Sequence, residues 1–208
     1  MIPIETISVF VLASIALSLS PGPDNIFVLT QSAMNGRKAG ILITLGLCTG
    51  LLFHTATVSL GIAAIFQTSE VAFNALKIVG ALYLLYLAWQ AFRSSATQLE
   101  PGEDNHSNWK QLYLRGILMN ITNPKVAIFF LAFLPQFADP SNGSITLQMI
   151  LFGGLFIVSA LCVFSGIAWS AGFLGEWLKS SDKYQTIINR MAGTVFVGLA
   201  LKLAVSER

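Results

Sequence analysis

The chain has little charge, little cysteine and almost no histidine, and each shortage removes a class of protein. Charged residues make up 11% of the 208 residues against 54% hydrophobic ones, and the mean hydropathy is +0.70. That balance excludes a soluble globular domain, in which about a quarter of residues are charged. The two cysteines, Cys48 and Cys162, stand singly in apolar surroundings without a CxxC spacing, so packing is expected of them rather than a disulfide or metal site. There are two histidines and no HExxH, GxSxG or clustered acidic motif. No enzymatic activity, metal or cofactor is therefore expected. The net charge of +2 is scattered between apolar segments rather than gathered in a patch, which argues against a nucleic-acid partner. The first apolar run, Ile7 to Leu19, follows Glu5 rather than Lys or Arg and leads into Pro-Gly-Pro-Asp, so it does not read as a signal peptide.

What remains is apolar length. With roughly 20 residues needed per bilayer crossing, six spans are expected, at about 6–34, 39–66, 71–92, 112–137, 146–174 and 187–205. The one long polar linker, 93–111, divides them three and three; a shorter one covers 175–186. Three spans per half is an odd number, so an internal repeat must be inverted across the membrane. The expected architecture is an all-α integral membrane protein of six transmembrane helices in two inverted three-helix repeats, 1–92 and 112–208, with helices one and four broken. Arg37, Lys38, Arg93, Lys110, Arg115, Lys179, Lys183 and Arg190 fall on one side of the bilayer, against Lys202 and Arg208 on the other. By the positive-inside rule the linker faces the cytoplasm and both termini face away from it.

Two apolar stretches carry a break: Ser20-Pro21-Gly22-Pro23-Asp24-Asn25 and Asn123-Pro124-Lys125. Proline removes a backbone donor, and the groups so freed are tolerated in a membrane where they line a cavity or site. About 13 residues precede the first break from the outer face and about 11 the second from the inner face, so at ~1.5 Å per residue both lie roughly 15–20 Å deep and should meet. Paired breaks of this kind are where secondary transporters bind substrate. Asp24 reads either as the N-terminal cap of a half-helix, or as a receptor for a substrate ammonium or the partner of Lys125. Lys125 is too far from either face to snorkel and needs Asp24, carbonyls freed by the break, or an anionic ligand group. With two half-helix N-termini, the set is complementary to a zwitterion, and an amino acid is the commonest small one.

His54 shares a stripe with Gly46 and Gly50, which lets a neighbouring helix approach closely. It reads either as a proton carrier or as a hydrogen-bonded interface residue. Lys77 is within snorkelling reach of the outer face. Tyr83, Tyr86 and Trp89 form one aromatic face, for packing or an interfacial belt. Gly36-Arg37-Lys38-Ala39-Gly40 shapes the first inner turn, and Gly153-Gly154, Gly166-Gly172 and Gly193-Gly198 are expected to mark close helix contacts.

Ser-Pro-Gly-Pro-Asp, the Gly-x-x-x-Gly-x-x-x-His stripe, Gly80-Ala81-x-Tyr83-Leu84-x-Tyr86-Leu87, and Thr122-Asn123-Pro124-Lys125 with Leu134-Pro135-Gln136-Phe137 resemble the LysE/RhtB family of bacterial amino-acid exporters over nearly the whole chain. The resemblance implies six spans in the bacterial cytoplasmic (inner) membrane and export of amino acids or close derivatives by proton antiport. Its signature positions match at Pro21, Gly22, Pro23, Asn123, Pro124 and Lys125. The candidate substrate-binding set is these six with Asp24 and Asn25; the candidate proton-coupling residues are Asp24 and His54. The expected partners are an amino acid, protons, the lipid bilayer and a second copy in a homodimer. The alternative is a thiol–disulfide conduit, which needs Cys48 and Cys162 to meet beside the breaks, or another small-solute carrier.

Overall fold

A computed structural model describes residues 2–68, 70–93, 108–180 and 182–205, which form eight α-helices and no strand. The 94–107 part of the polar linker lies outside the described set, as do the Lys77 side chain and the surroundings of Gly172. The helices are α1 (Ile4–Leu19), α2 (Pro23–Asn35), α3 (Arg37–Thr68), α4 (Glu70–Arg93), α5 (Trp109–Thr122), α6 (Pro124–Ile128), α7 (Ile145–Ser180) and α8 (Asp182–Val205). Between α6 and α7 the chain passes through one wide π-helical turn, Phe129–Phe133, then tighter 3₁₀ turns at Leu134–Phe137 and Pro140–Asn142.

Arg37–Gly61 of α3 and Ile145–Ala171 of α7 are each long and apolar enough to cross a membrane unaided. Two further spans exist if α1 with α2, bent by 60°, and α5 with the Pro124–Phe137 segment, bent by 50°, each count as one. The two expected broken helices are therefore present as bent pairs. Of the other two expected spans, α4 contributes the shorter apolar stretch Ile78–Arg93. Leu12, Leu45, Leu52, Phe53, Leu147 and Trp169 are among many large apolar side chains that face outward, as a hydrocarbon surrounding allows.

The interior is aromatic. Phe10 of α1 stacks on Phe129, Phe137 and Phe152 at 6.3, 5.1 and 4.8 Å between ring centroids. Phe156 meets Phe129 and Phe130 at 5.3 and 5.1 Å. These rings tie α1, α7 and the segment after the second break into one core. Around it α3 packs along α5 and α7, α4 along α8, and α7 along α1 and α2. On the outside, Tyr83, Tyr86 and Trp89 form a continuous aromatic row with centroids 6.0 and 6.1 Å apart, and the Arg93 guanidinium caps it 4.9 Å over Trp89.

The glycine stripe of α3 decides how closely α5 can approach. A methyl group on Gly46 would strike the carbonyl of Tyr113 and stand 3.1 Å from Gly116 Cα, and one on Gly50 would stand 2.7 Å from Asn120 Cβ. The obstacle at Gly46 is backbone, which cannot swing aside. Gly36 closes α2 with φ +82°, a left-handed conformation that favours glycine. Among the other expected contacts, Gly153 lies against Thr55 and Gly193 against Phe92, but Gly154, Gly166 and Gly198 face open space. For those three the expectation was wrong, because glycines one, five or six residues apart do not share a helix face as those three or four apart do.

Gly46→Ala is expected to lower stability by about 1–3 kcal/mol through overpacking, whereas Gly154→Ala should leave it unchanged or slightly raise it. Melting of both variants in one detergent checks this; equal melting temperatures would contradict the close α3–α5 approach.

Candidate functional site

Each break can be followed carbonyl by carbonyl. In an uninterrupted α1 the Leu17 carbonyl would accept from the amide of residue 21, but that residue is Pro21, which has none. Lys125 Nζ takes its place, donating to Leu17 O at 3.3 Å and to Ser20 O at 2.9 Å. Asn25 Nδ2 donates to Ser18 O at 2.6 Å. Two of the last four carbonyls of α1, and that of its capping residue Ser20, are thus met by side chains from beyond its end. The Lys125 charge also lies at the negative end of the α1 dipole.

The second break repeats the logic. Pro124 cannot serve the Asn120 carbonyl, and His54 Nε2 of α3 approaches that oxygen at 3.2 Å. A carbonyl only accepts, so Nε2 is the protonated nitrogen in this contact. The Asn120 carbonyl also receives the amide of Asn123 at 3.1 Å. Asn123 caps α6, its Oδ1 accepting from the Lys125 amide at 3.0 Å, while its Nδ2 donates to Asp24 Oδ2 at 2.9 Å. Pro23 and Pro124 occupy the first positions of α2 and α6, where the missing amide costs nothing. Asp24 sits in the first turn of α2, at its positive end.

All eight residues of the expected binding set therefore lie at the two breaks, and the breaks meet. Asp24 and Asn123 are buried, at 2% and 3% exposure; Pro21, Gly22, Asn25 and Lys125 are half-buried; Pro23 and Pro124 are exposed and shape the backbone. A methyl group on Gly22 would stand 3.0 Å from Lys125 Nζ, so glycine leaves the ammonium its route to α1. Of the partners left open to them by the sequence, Asp24 and Lys125 do not take each other in a direct ion pair. The lysine is held by carbonyls and the aspartate by Asn123. His54 is in reach of the second break through Asn120, with its ring 5.6 Å from that of Phe130.

Sequence reasoning missed Asn120 and Ser18. Asn120 is 1% exposed and lies one turn before Asn123, four residues after Gly116 on the face that α3 covers; a lone amide on a glycine face was the available signal. Ser18 precedes the first break and lies one turn after the buried Ser14. Cys48 is buried with its Sγ 4.0 Å from the Ile157 carbonyl, and Cys162 is exposed; both are free thiols. Among the described residues no group of three or more His, Cys, Asp or Glu could hold a metal ion.

Described residues that are helical throughout, with membrane-length apolar helices and the buried Asp24, Asn120 and Asn123 at two interlocked breaks, define the class of small helical membrane transporters. The family described as LysE type translocator matches residues 15–207, and the chain belongs to it. It is 34% identical over 196 residues to the homoserine/homoserine lactone efflux protein of Salmonella typhimurium (strain LT2), covering 94% of each chain, and equally so to that of Salmonella typhi. It is 30% identical over 195 residues to the uncharacterized membrane protein YrhP of Bacillus subtilis (strain 168), covering 89% of this chain and 92% of that one. No solved structure matches it.

Asn123→Ala removes the donor to Asp24 and the cap of Lys125, and should cost about 1–3 kcal/mol of stability. In an Asp24→Ala background the same change should cost measurably less, because the shared contact is already gone. A full additive cost in a detergent unfolding cycle would show the two residues to be energetically independent.

Proposed function

We propose that this translocator exports amino acids or close derivatives across the bacterial cytoplasmic membrane, with proton antiport and alternating access of two inverted halves, 1–92 and 112–208, joined by the 93–111 linker. The observation that carries this reading is the reciprocal meeting of the breaks: Lys125 of the second half serves α1, and Asp24 of the first half receives Asn123. Interrupted helices in corresponding places of two halves mark binding sites of secondary transporters. The packing supports the pseudo-symmetry, since α3 runs along α5 as α7 runs along α1, and α3 meets α7 as α4 meets α8. Six crossings follow if α4 and α8 join the two long helices and the two bent pairs. The basic residues then put the linker in the cytoplasm and both termini outside.

The substrate site is built by Pro21, Gly22, Pro23, Asp24, Asn25, Asn123, Pro124 and Lys125. The names of the two Salmonella relatives place homoserine and its lactone first in any panel of compounds. Asp24 and His54 are the groups through which a proton could be coupled. The His54 ring touches the second break through the Asn120 carbonyl, and that contact is what makes it a coupling candidate.

Proteoliposomes preloaded with a panel of labelled amino acids, with and without an imposed proton gradient, test the reading. Gradient-stimulated efflux of one or a few compounds is expected, lost in Lys125→Ala while the protein remains in the membrane; wild-type protein releasing no amino acid would overturn it. His54→Gln keeps a donor for the Asn120 carbonyl but cannot titrate. It should retain downhill exchange and lose stimulation by the gradient, and stimulation equal to wild type would remove His54 from coupling.

A further inference from the structure

The site holds three acceptors, and one hydroxyl able to donate or accept, that nothing among the described residues serves. Four buried side-chain atoms among the described residues have no hydrogen-bond partner, and all four are oxygens: Ser18 Oγ, Asp24 Oδ1, Asn25 Oδ1 and Asn120 Oδ1. Buried polar atoms are rarely left in this condition, and a cluster of them calls for an explanation. Here all four belong to residues flanking the two breaks, three within Ser18 to Asn25 and one a helical turn before Asn123. Two of the orientations are fixed by the neighbours. Asn25 must point its Nδ2 at the Ser18 carbonyl, which leaves Oδ1 as the unserved end. Asp24 uses Oδ2 on Asn123 and keeps Oδ1 unserved at 2% exposure.

The side-chain nitrogens of Asn25, Asn123 and Lys125 each have an acceptor. The Asn25 and Asn123 amides donate to Ser18 O and Asp24 Oδ2. Lys125, the one cation at the breaks, spends two of its three protons on the carbonyls of Leu17 and Ser20, which Pro21 and the end of α1 leave in need of a donor. Turning Lys125 to a ligand carboxylate would strip those carbonyls at the cost of unserved buried acceptors. An arriving zwitterion thus meets a carboxylate oxygen and amide oxygens ready for its ammonium, and a lysine already committed to the fold.

We propose that the site selects its substrate by the ammonium end, received by Asp24 Oδ1 and Asn25 Oδ1, and that the substrate carboxylate is dispensable. Primary amines derived from amino acids, such as their α-amides, are then carried alongside the free amino acids. Lys125 is a positioning residue that holds α1 against the second break. This deepens the transport reading above and rests on it.

The test uses wild-type protein in proteoliposomes, which avoids variants that fail to fold. The amino acid giving the greatest efflux in the panel is loaded with label, together with its unlabelled α-amide or its unlabelled N-acetyl derivative. The α-amide keeps the ammonium and lacks the carboxylate; the N-acetyl compound does the reverse. The α-amide should compete within about threefold of the unlabelled amino acid, and the N-acetyl compound should be weaker by about tenfold or more, as loss of a charge-assisted hydrogen bond predicts. An N-acetyl derivative competing as well as the parent, or an α-amide that fails to compete, would overturn the inference while leaving transport standing. Absence of efflux for every panel amino acid would overturn transport and this inference together.

Discussion

A proline inside an apolar helix leaves one carbonyl without its amide, and in hydrocarbon only another part of the protein can supply the missing donor. The Lys125 ammonium on the Leu17 and Ser20 carbonyls is the answer at the first break, and the rest of the structure is arranged around it. For the lysine to reach α1, the second break must lie against the first. That brings Asn123 to Asp24 and Asn120 to α3, where His54 performs for Pro124 the service that Lys125 performs for Pro21. Two carbonyls that proline deprives of their helical amide, each approached by a nitrogen from a distant helix, help to determine where four elements sit.

Close packing makes these reaches possible. Gly46 and Gly50 let α3 lie against the backbone of α5, and at that distance a histidine one turn further along can touch the Asn120 carbonyl. The aromatic cluster of Phe10, Phe129, Phe152 and Phe156 holds α1 and α7 together beside the breaks. The site is therefore rigid in its hydrocarbon frame and polar at its interruptions.

Much of this was legible in the chain. Pro21, Gly22, Pro23 and Pro124 act locally on φ and on backbone donors, so the positions of both breaks and the bent helices could be read directly. The Gly46-Gly50-His54 stripe is likewise a matter of spacing along one helix. What could not be read was partner choice. The Asn123–Asp24 and Lys125–Ser20 contacts join residues 99 and 105 positions apart, and no local pattern records them. Opposite charges suggested an Asp24–Lys125 pair; the demand of α1 for donors outweighed it, because a neutral carbonyl without a donor is also costly when buried. Asn120 escaped notice since one amide in an apolar run carries no periodic signal. Gly154, Gly166 and Gly198 show the converse failure, in which a familiar small-residue pattern had no neighbour to meet.

The reciprocal service at the breaks also bears on how the chain comes to its final shape. When α1 to α4 have been made, the Leu17 and Ser20 carbonyls still lack their donor, because it lies in a lysine not yet synthesised. Asp24 likewise waits for Asn123. The first half is thus an unfinished intermediate by its own chemistry, and the arrival of residues 120–125 completes it. A single short segment thus closes both breaks at once, and α7 and α8 follow it.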